Sequence, residues 1–252
     1  MLIDLHTHTY PLSWDSQLSA DELIDRSKAA GLDGIVLSEH DWAWNPEEVA
    51  ALGQRHNFLV LHGIEVNTDD GHILVIGPRR YVYGMHHTHE LARLVREADG
   101  VMWAAHPYRR HHPWDWESDR EWADALDRGA RNEAYGVVSA LEVVNGRGSR
   151  RENLVAQRIA DRLGLPGTAG TDSHRTEDIG KTATYFDRDI QSAADLVEEI
   201  RAGRCWPVDL TGGTLIEDPR YHRAPADLDA EMHATAERRA AYLAARPRER
   251  QG

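Results

Sequence analysis

Cysteine is nearly absent: Cys205 is the only one in 252 residues. That excludes an internal disulfide framework and any thiolate metal cluster. No apolar run approaches the roughly 20 residues that a membrane helix needs, and the mean hydropathy is −0.59. The opening stretch MLIDLHTHTY has no basic flank and no cleavable apolar segment, so no secretion signal is read there. These absences together predict a cytoplasmic protein with no membrane partner. Basic residues are outnumbered, 29 against 42, for a formal charge of −13. Such a surface repels polyanions at long range, so long nucleic acid is not an expected partner. No GxGxxG or GxxxxGK[ST] follows an apolar run, which leaves a nucleotide-cofactor fold without support. Internal repeats and low-complexity linkers are also missing.

What the chain has in abundance is histidine, 15 in all. Histidine is the commonest metal ligand and titrates nearest neutrality, but its placement is more informative than its number. Short β-branched runs alternate with helical segments. Strands are expected at 1–5, 34–37, 58–61, 72–76, 101–103, 137–144, 167–170 and 182–185. Helices are expected between them, among them 88–98, 151–163 and 193–202. Ser19 and Glu22 have the spacing of a capping box, and Pro46 suits the first turn of a helix capped by Asn45. Such alternation implies a parallel sheet, doubly wound or closed as a barrel. Residues 225–252, rich in Ala, Glu and Arg, are expected to form one polar helix with a frayed end.

The strand ends carry the ionisable residues. They read Asp4-Leu-His6-Thr-His8, Ser38-Glu39-His40-Asp41, Gly63-Ile-Glu65, His106-Pro107 and Asp172-Ser-His174, with His72 opening a strand. In a parallel barrel all strand C-termini share one rim, where active sites are built. His6 and His8 are two apart and so point to one side of an extended backbone; Asp172 and His174 repeat that spacing. The two pairs come from opposite ends of the chain and can meet only if the sheet closes. So many buried ionisable groups would be very costly uncompensated, and metal is the natural compensation.

In this order and spacing, HTH, SEHD, GIEV, GHILVIG, AHPY and GTDSH resemble the PHP (polymerase and histidinol phosphatase) family, over residues 1 to about 208. The resemblance implies a distorted (β/α)7 TIM-like barrel over residues 1–210, with a helical C-terminal extension over 211–252. It implies two to three divalent metal ions and phosphoester hydrolysis. The implied ligands are His6, His8, Asp15, His40, Glu65, His72, His106, Asp172 and His174. In the family pattern the first metal takes His6, His8, Glu65 and Asp172. The second takes His72, His106 and the bridging Glu65, and the third takes Asp15, His40 and His174. Catalysis would then centre on Glu65, Asp172, His6 and His8, around a hydroxide bridging the first two metals. Glu39 stands where the family often has Asp, and Trp14 beside Asp15 where many members have an Asp-Gly turn. A donor set of imidazole and carboxylate suits zinc, manganese or iron.

Arg109, Arg147 and Arg175 lie just beyond strand ends, and guanidinium forks bind phosphate oxygens bidentately. They are the expected substrate-binding residues. Glu142 either buttresses the site or caps a strand, and Trp103 is expected in the core. The histidines outside the ligand set are expected mostly on the surface or in loops, with His111 and His112, in the loop 108–118, the candidates to line a substrate pocket. The expected activity is hydrolysis of a small phosphorylated metabolite, such as a nucleotide, histidinol phosphate or a sugar phosphate. A phosphodiesterase or short-oligonucleotide nuclease is the alternative, ahead of a non-catalytic metal-stabilised accessory module. An amidohydrolase-like C–N or lactone hydrolase commonly needs a bridging lysine. Lys28 and Lys181 are the only lysines, and neither follows a strand convincingly. The oligomeric state is left open.

Overall fold

The computed structural model describes residues 1–245, so part of the expected C-terminal helix, 246–252, lies outside the described residues. Nine strands form one sheet: β1 (Leu2–Thr7), β2 (Gly34–His40), β3 (Leu59–Thr68), β4 (Gly71–Ile76), β5 (Val101–Ala104), β6 (Ala140–Asn145), β7 (Gly167–Gly170), β8 (Thr182–Tyr185) and β9 (Trp206–Asp209). Seven α-helices are described: α1 (Ala20–Ala29), α2 (Pro46–His56), α3 (Thr88–Glu97), α4 (Asp119–Ala130), α5 (Arg150–Leu163), α6 (Ala193–Ala202) and α7 (Leu228–Ala245). The strand order is β7-β6-β5-β4-β3-β2-β1-β8-β9. Beyond β7 the sheet curls back on β1. Thr7 and Ser173 form a parallel bridge, and the Asp172 N–H donates to the His6 carbonyl at 2.8 Å. The sheet is thereby a nearly closed barrel.

The sheet is mixed, where strand–helix alternation predicts a parallel one. β1–β2, β2–β3, β5–β6 and β6–β7 are parallel. β3–β4, β4–β5, β1–β8 and β8–β9 are antiparallel. The reason is local. Only Asp69 and Asp70 separate β3 from β4, and a parallel crossover needs a dozen residues or more. The hairpin also extends β3 well beyond the expected 58–61, so Glu65 sits in mid-strand. There it pairs with His40 on one side and Leu74 on the other.

Caps fix the helix starts. The Ser19 hydroxyl accepts from the Glu22 N–H at 3.2 Å, and Asn45 caps α2 with Pro46 in the first turn. Ser149 and Glu152 form a reciprocal capping box on α5. Helix α4 was not read from the sequence, because charged residues interrupt its apolar stripe of Trp122, Ala125 and Leu126. Trp103 is fully buried, as expected. The segment after β9 packs on the barrel. Ile216, Tyr221 and Leu228 join the core cluster that contains Val155, Ile159 and Leu163 of α5.

His111 is buried beneath Tyr135, with ring centroids 5.9 Å apart, and its Nε2 has no partner. Burial pushes its imidazole down to about 4, helped by Arg128 and Arg110. An unfolded histidine titrates near 6.5. A depressed pKa means that the fold disfavours the proton, so this contribution is full above pH ~6.5 and is lost as pH falls toward ~4. The melting temperature of the wild type should fall across that window. In His111→Phe the fall should be shallower, and thermal melts at pH 4.5 and 7.5 read the difference.

Candidate metal centre

One carboxylate collects the imidazoles. Glu65 is buried, and five histidine rings surround it. Its Oε1 lies 2.8 Å from His72 Nδ1 and 3.0 Å from His106 Nε2. Its Oε2 lies 2.8 Å from His40 Nδ1 and 3.3 Å from both His6 Nε2 and His8 Nε2. Asp172 Oδ1 closes the group at 3.6 Å from His6 Nε2 and 3.5 Å from His8 Nε2. His174 Nε2 and His40 Nε2 flank Asp15 Oδ2 at 3.1 and 3.5 Å. All nine expected ligands therefore lie in one cluster.

Outer partners decide which ring nitrogen faces inward. His6 Nδ1–H donates to Glu142 Oε1 at 2.9 Å, so Nε2 points at Glu65. Glu142 Oε2 also accepts from the His106 N–H at 2.8 Å and from Asn145 Nδ2 at 3.0 Å. Of the two readings of Glu142, buttress or strand cap, these contacts favour the buttress. His8 Nδ1–H donates to Ser13 Oγ at 3.1 Å, and the Ser13 hydroxyl in turn donates to Glu39 Oε2 at 2.5 Å. Glu39 also accepts from the Thr9 N–H and hydroxyl and from Trp44 Nε1. Ser13 Oγ also accepts from the His40 N–H at 3.3 Å, so through Ser13 Glu39 supports both the His8 ring and the backbone of its neighbour His40. Ser13 and Asn145 were not singled out from the sequence, because nothing in their spacing marks a residue that touches a ligand's far side. Tight packing completes the frame. A Cβ on Gly170 would sit 2.4 Å from His6 Cβ and 2.8 Å from Glu142 Oε1, so glycine is required there. Asp172 and His106 hold left-handed backbone, φ 55° and 28°, which non-glycine residues rarely adopt.

A cation fits this donor set. His6 Nε2 and His8 Nε2 are buried and have no hydrogen-bond partner, and His40 Nδ1 and Glu65 Oε2, though 2.8 Å apart, do not meet in hydrogen-bond geometry. Leaving such atoms unpaired is costly. Their ligand atoms fall into four overlapping groups: His6, His8 and Asp172; His6, Glu65 and His106; His40, Glu65 and His72; and His8, His40 and His174. These groups cross the boundaries of the three expected ligand sets, since His8 joins His40 and His174 while His40 reaches Glu65. The charge balance points the same way. Burial alone would raise Glu65, yet His6, His106 and His40 hold it well below the usual carboxylate range. Burial opposes a charge on His6 and His8 too. Glu142, Glu65 and Asp172 nevertheless raise His6 well above its ordinary value, and Asp172 and Glu65 bring His8 up to about 9. The carboxylates thus draw positive charge to this pocket, as protons on His6 and His8 or as bound cations.

Two of the three expected arginines reach the centre. Arg109 Nη2 donates to Asp172 Oδ2 at 2.8 Å, and its Nη1 lies 2.9 Å from His106 Nε2. Arg147 Nη1 lies 2.9 Å from His174 Nδ1 and 3.9 Å from Asp172 Oδ1. Arg175 does not. It is exposed and faces Glu177 at 4.0 Å. Nor does His112, which stacks on Tyr108 with centroids 5.7 Å apart.

A PHP domain model matches residues 4–164, and a PHP-associated model matches residues 150–205. The chain belongs to the PHP domain family. The fold recurs among solved structures. An amidohydrolase from Chromobacterium violaceum, with bound sulfate and no metal, is 19% identical with a TM-score of 0.53, over 82% of this chain and 97% of that one. PsfC from Pseudomonas syringae PB-5123 is 17% identical with a TM-score of 0.54, over 95% and 98%. A two-domain protein from Bacteroides vulgatus, containing a predicted PHP-like metal-dependent phosphoesterase, is 16% identical with a TM-score of 0.56, over 83% and 64%. Among curated proteins, a PolC-type DNA polymerase III from Oceanobacillus iheyensis is 30% identical over 70 residues. That stretch is 27% of this chain and 5% of the polymerase.

Within this PHP domain, Glu142→Gln keeps shape but removes the charge that orients His6. Outer partners of this kind tune affinity by about 10–100-fold. Zinc affinity, read by competition with a chromophoric chelator, should weaken by that factor while the fold persists. Unchanged affinity would show that the buttress is merely structural.

Proposed function

We propose that the protein is a metal-dependent phosphoesterase acting on a small phosphorylated metabolite, most simply a phosphomonoester. The observation that carries this reading is the Glu65 cluster of inward-facing ring nitrogens, with the Arg109 and Arg147 guanidiniums at its edge. His6, His8, Glu65 and Asp172 would hold the central ions, with His72, His106, His40, Asp15 and His174 completing the set. Zinc, manganese or iron suits these donors, and bound there would supply Lewis acidity and a water acidic enough to act as nucleophile near pH 7.

The remaining chemistry belongs to side chains. Glu142 and the Glu39–Ser13 pair hold His6 and His8 with Nε2 inward, so the cluster is preorganised. Arg109 and Arg147, at the edge of the cluster, would take the outer oxygens of a phosphoryl group held there, which guanidinium forks suit. Their charge also draws a small anion into a protein that otherwise repels polyanions. A cytoplasmic location remains part of the proposal; among the described residues no helix is long and apolar enough to cross a membrane.

Hydrolysis of p-nitrophenyl phosphate and bis-p-nitrophenyl phosphate, with zinc or manganese supplied, tests the reading. The monoester is expected to react faster. A faster diester would move the assignment to a phosphodiesterase, and no release from either ester would overturn it.

A further inference from the structure

Beside the metal centre lies a second concavity that the chemistry above does not use. It encloses about 250 Å³. Ile73, Ala104 and Ala134 supply apolar wall, while Asp70 and Arg110 border it with one charge of each sign. His72 and His106 line it as well, and these same rings touch Glu65 Oε1. Arg109 lines both this pocket and the open cleft over Asp15, His174 and Asp172. His72 and Arg109 border both spaces, so the pocket adjoins the cleft over the cluster on the side of the guanidinium that would meet the phosphoryl oxygens.

We propose that this pocket receives the leaving group of the phosphoester, and that it selects a compact, uncharged group with an apolar body and a hydrogen-bonding outer edge. This rests on the phosphoesterase reading and deepens it. Three observations carry it. The volume is below the roughly 300–1,000 Å³ of sites for drug-sized ligands, so a single ring or short branched chain fits and an oligonucleotide does not. With Arg109 turned to Asp172 and the phosphoryl site, Asp70 and Arg110 leave the rest of the wall balanced in charge, so a second phosphate gains little there. Arg110 already donates through Nη1 to the Asp69 carbonyl at 2.6 Å, which pins it as a wall rather than a free anion receptor. The wall is also firm. Asn132 Nδ2 donates to the Asp70 carbonyl at 2.9 Å, and Tyr135, which also lines the pocket, is buried.

The test fills the pocket and leaves the cluster alone. In Ala134→Leu, KM for phenyl phosphate is expected to rise about tenfold, the range that an added methylene or two in an apolar pocket commands. KM for methyl phosphate, too small to reach the wall, is expected to stay unchanged, as is kcat for both. Phenol binding to the metal-loaded protein, read by saturation-transfer NMR without any ester, is expected to be lost in the variant. If Ala134→Leu does not fold, Ala134→Val makes a smaller intrusion, with a smaller shift in the same direction. An equal KM rise for both esters, or phenol binding that survives the substitution, would overturn the pocket. If neither ester is hydrolysed, the phosphoesterase reading fails. Phenol binding then still decides whether this is a binding pocket.

Discussion

Glu65→Gln should empty the first two metal positions and cut hydrolysis by orders of magnitude. The amide keeps the shape of the side chain and one acceptor oxygen. It loses the charge around which His6, His8, His40, His72 and His106 are arranged. A carboxylate can offer a separate oxygen to each of two cations, which Gln cannot do as an anion. The amide nitrogen would also face bare ring nitrogens, or imidazolium N–H groups with nothing to accept them. Removing one partner of a buried charged set costs roughly 3–5 kcal/mol, so the metal-free variant should also melt earlier than metal-free wild type. Glu48 lies exposed on α2 and serves as the control. Elemental analysis and turnover of Glu65→Gln beside Glu48→Gln decide the matter, and equal activities would refute the bridging role.

Metal removal is the second large effect. Gently purified protein is expected to carry two to three divalent ions per chain, and chelation should abolish turnover and lower the melting temperature. An ion present at a hundred times its dissociation constant stabilises the native state by about 2.7 kcal/mol per site. For a chain of this size that corresponds to roughly 5–10 °C. Uptake should also release protons, because His6 and His8 hold theirs more tightly than ordinary imidazoles and must give them up to bind. Calorimetric zinc titration in two buffers of different ionisation enthalpy counts them. Less than one ion per chain, with no uptake on titration, would remove the basis of the proposed chemistry. His6→Ala and Asp172→Ala should lose turnover at saturating metal yet stay folded, since both stand at the rim rather than in the apolar layers. Near wild-type turnover in either would displace the assignment of the first metal.

Much of this site was legible in one dimension because backbone periodicity is local. Residues two apart share a side of an extended segment, so the His6–His8 and Asp172–His174 pairs could be read without a fold. The caps at Ser19 and Asn45 are equally local, since a hydroxyl or amide reaches only the next turn. The antiparallel course of β4 was legible too, in the two-residue connection after Thr68, but strand–helix alternation elsewhere outweighed it.

Tertiary structure alone decided three matters. It chose which ligands share a volume: the Thr7–Ser173 bridge joins segments 166 residues apart and carries Asp172 to His6. It sorted the arginines, since Arg109 and Arg147 turn to the cluster while Arg175 turns to Glu177. And it assigned Ser13 and Asn145 to hold the ligands from behind. Composition and spacing state which chemical groups a chain owns and which side of a strand each takes. How closely two of them approach depends on register and closure, set by the packing of the whole sheet.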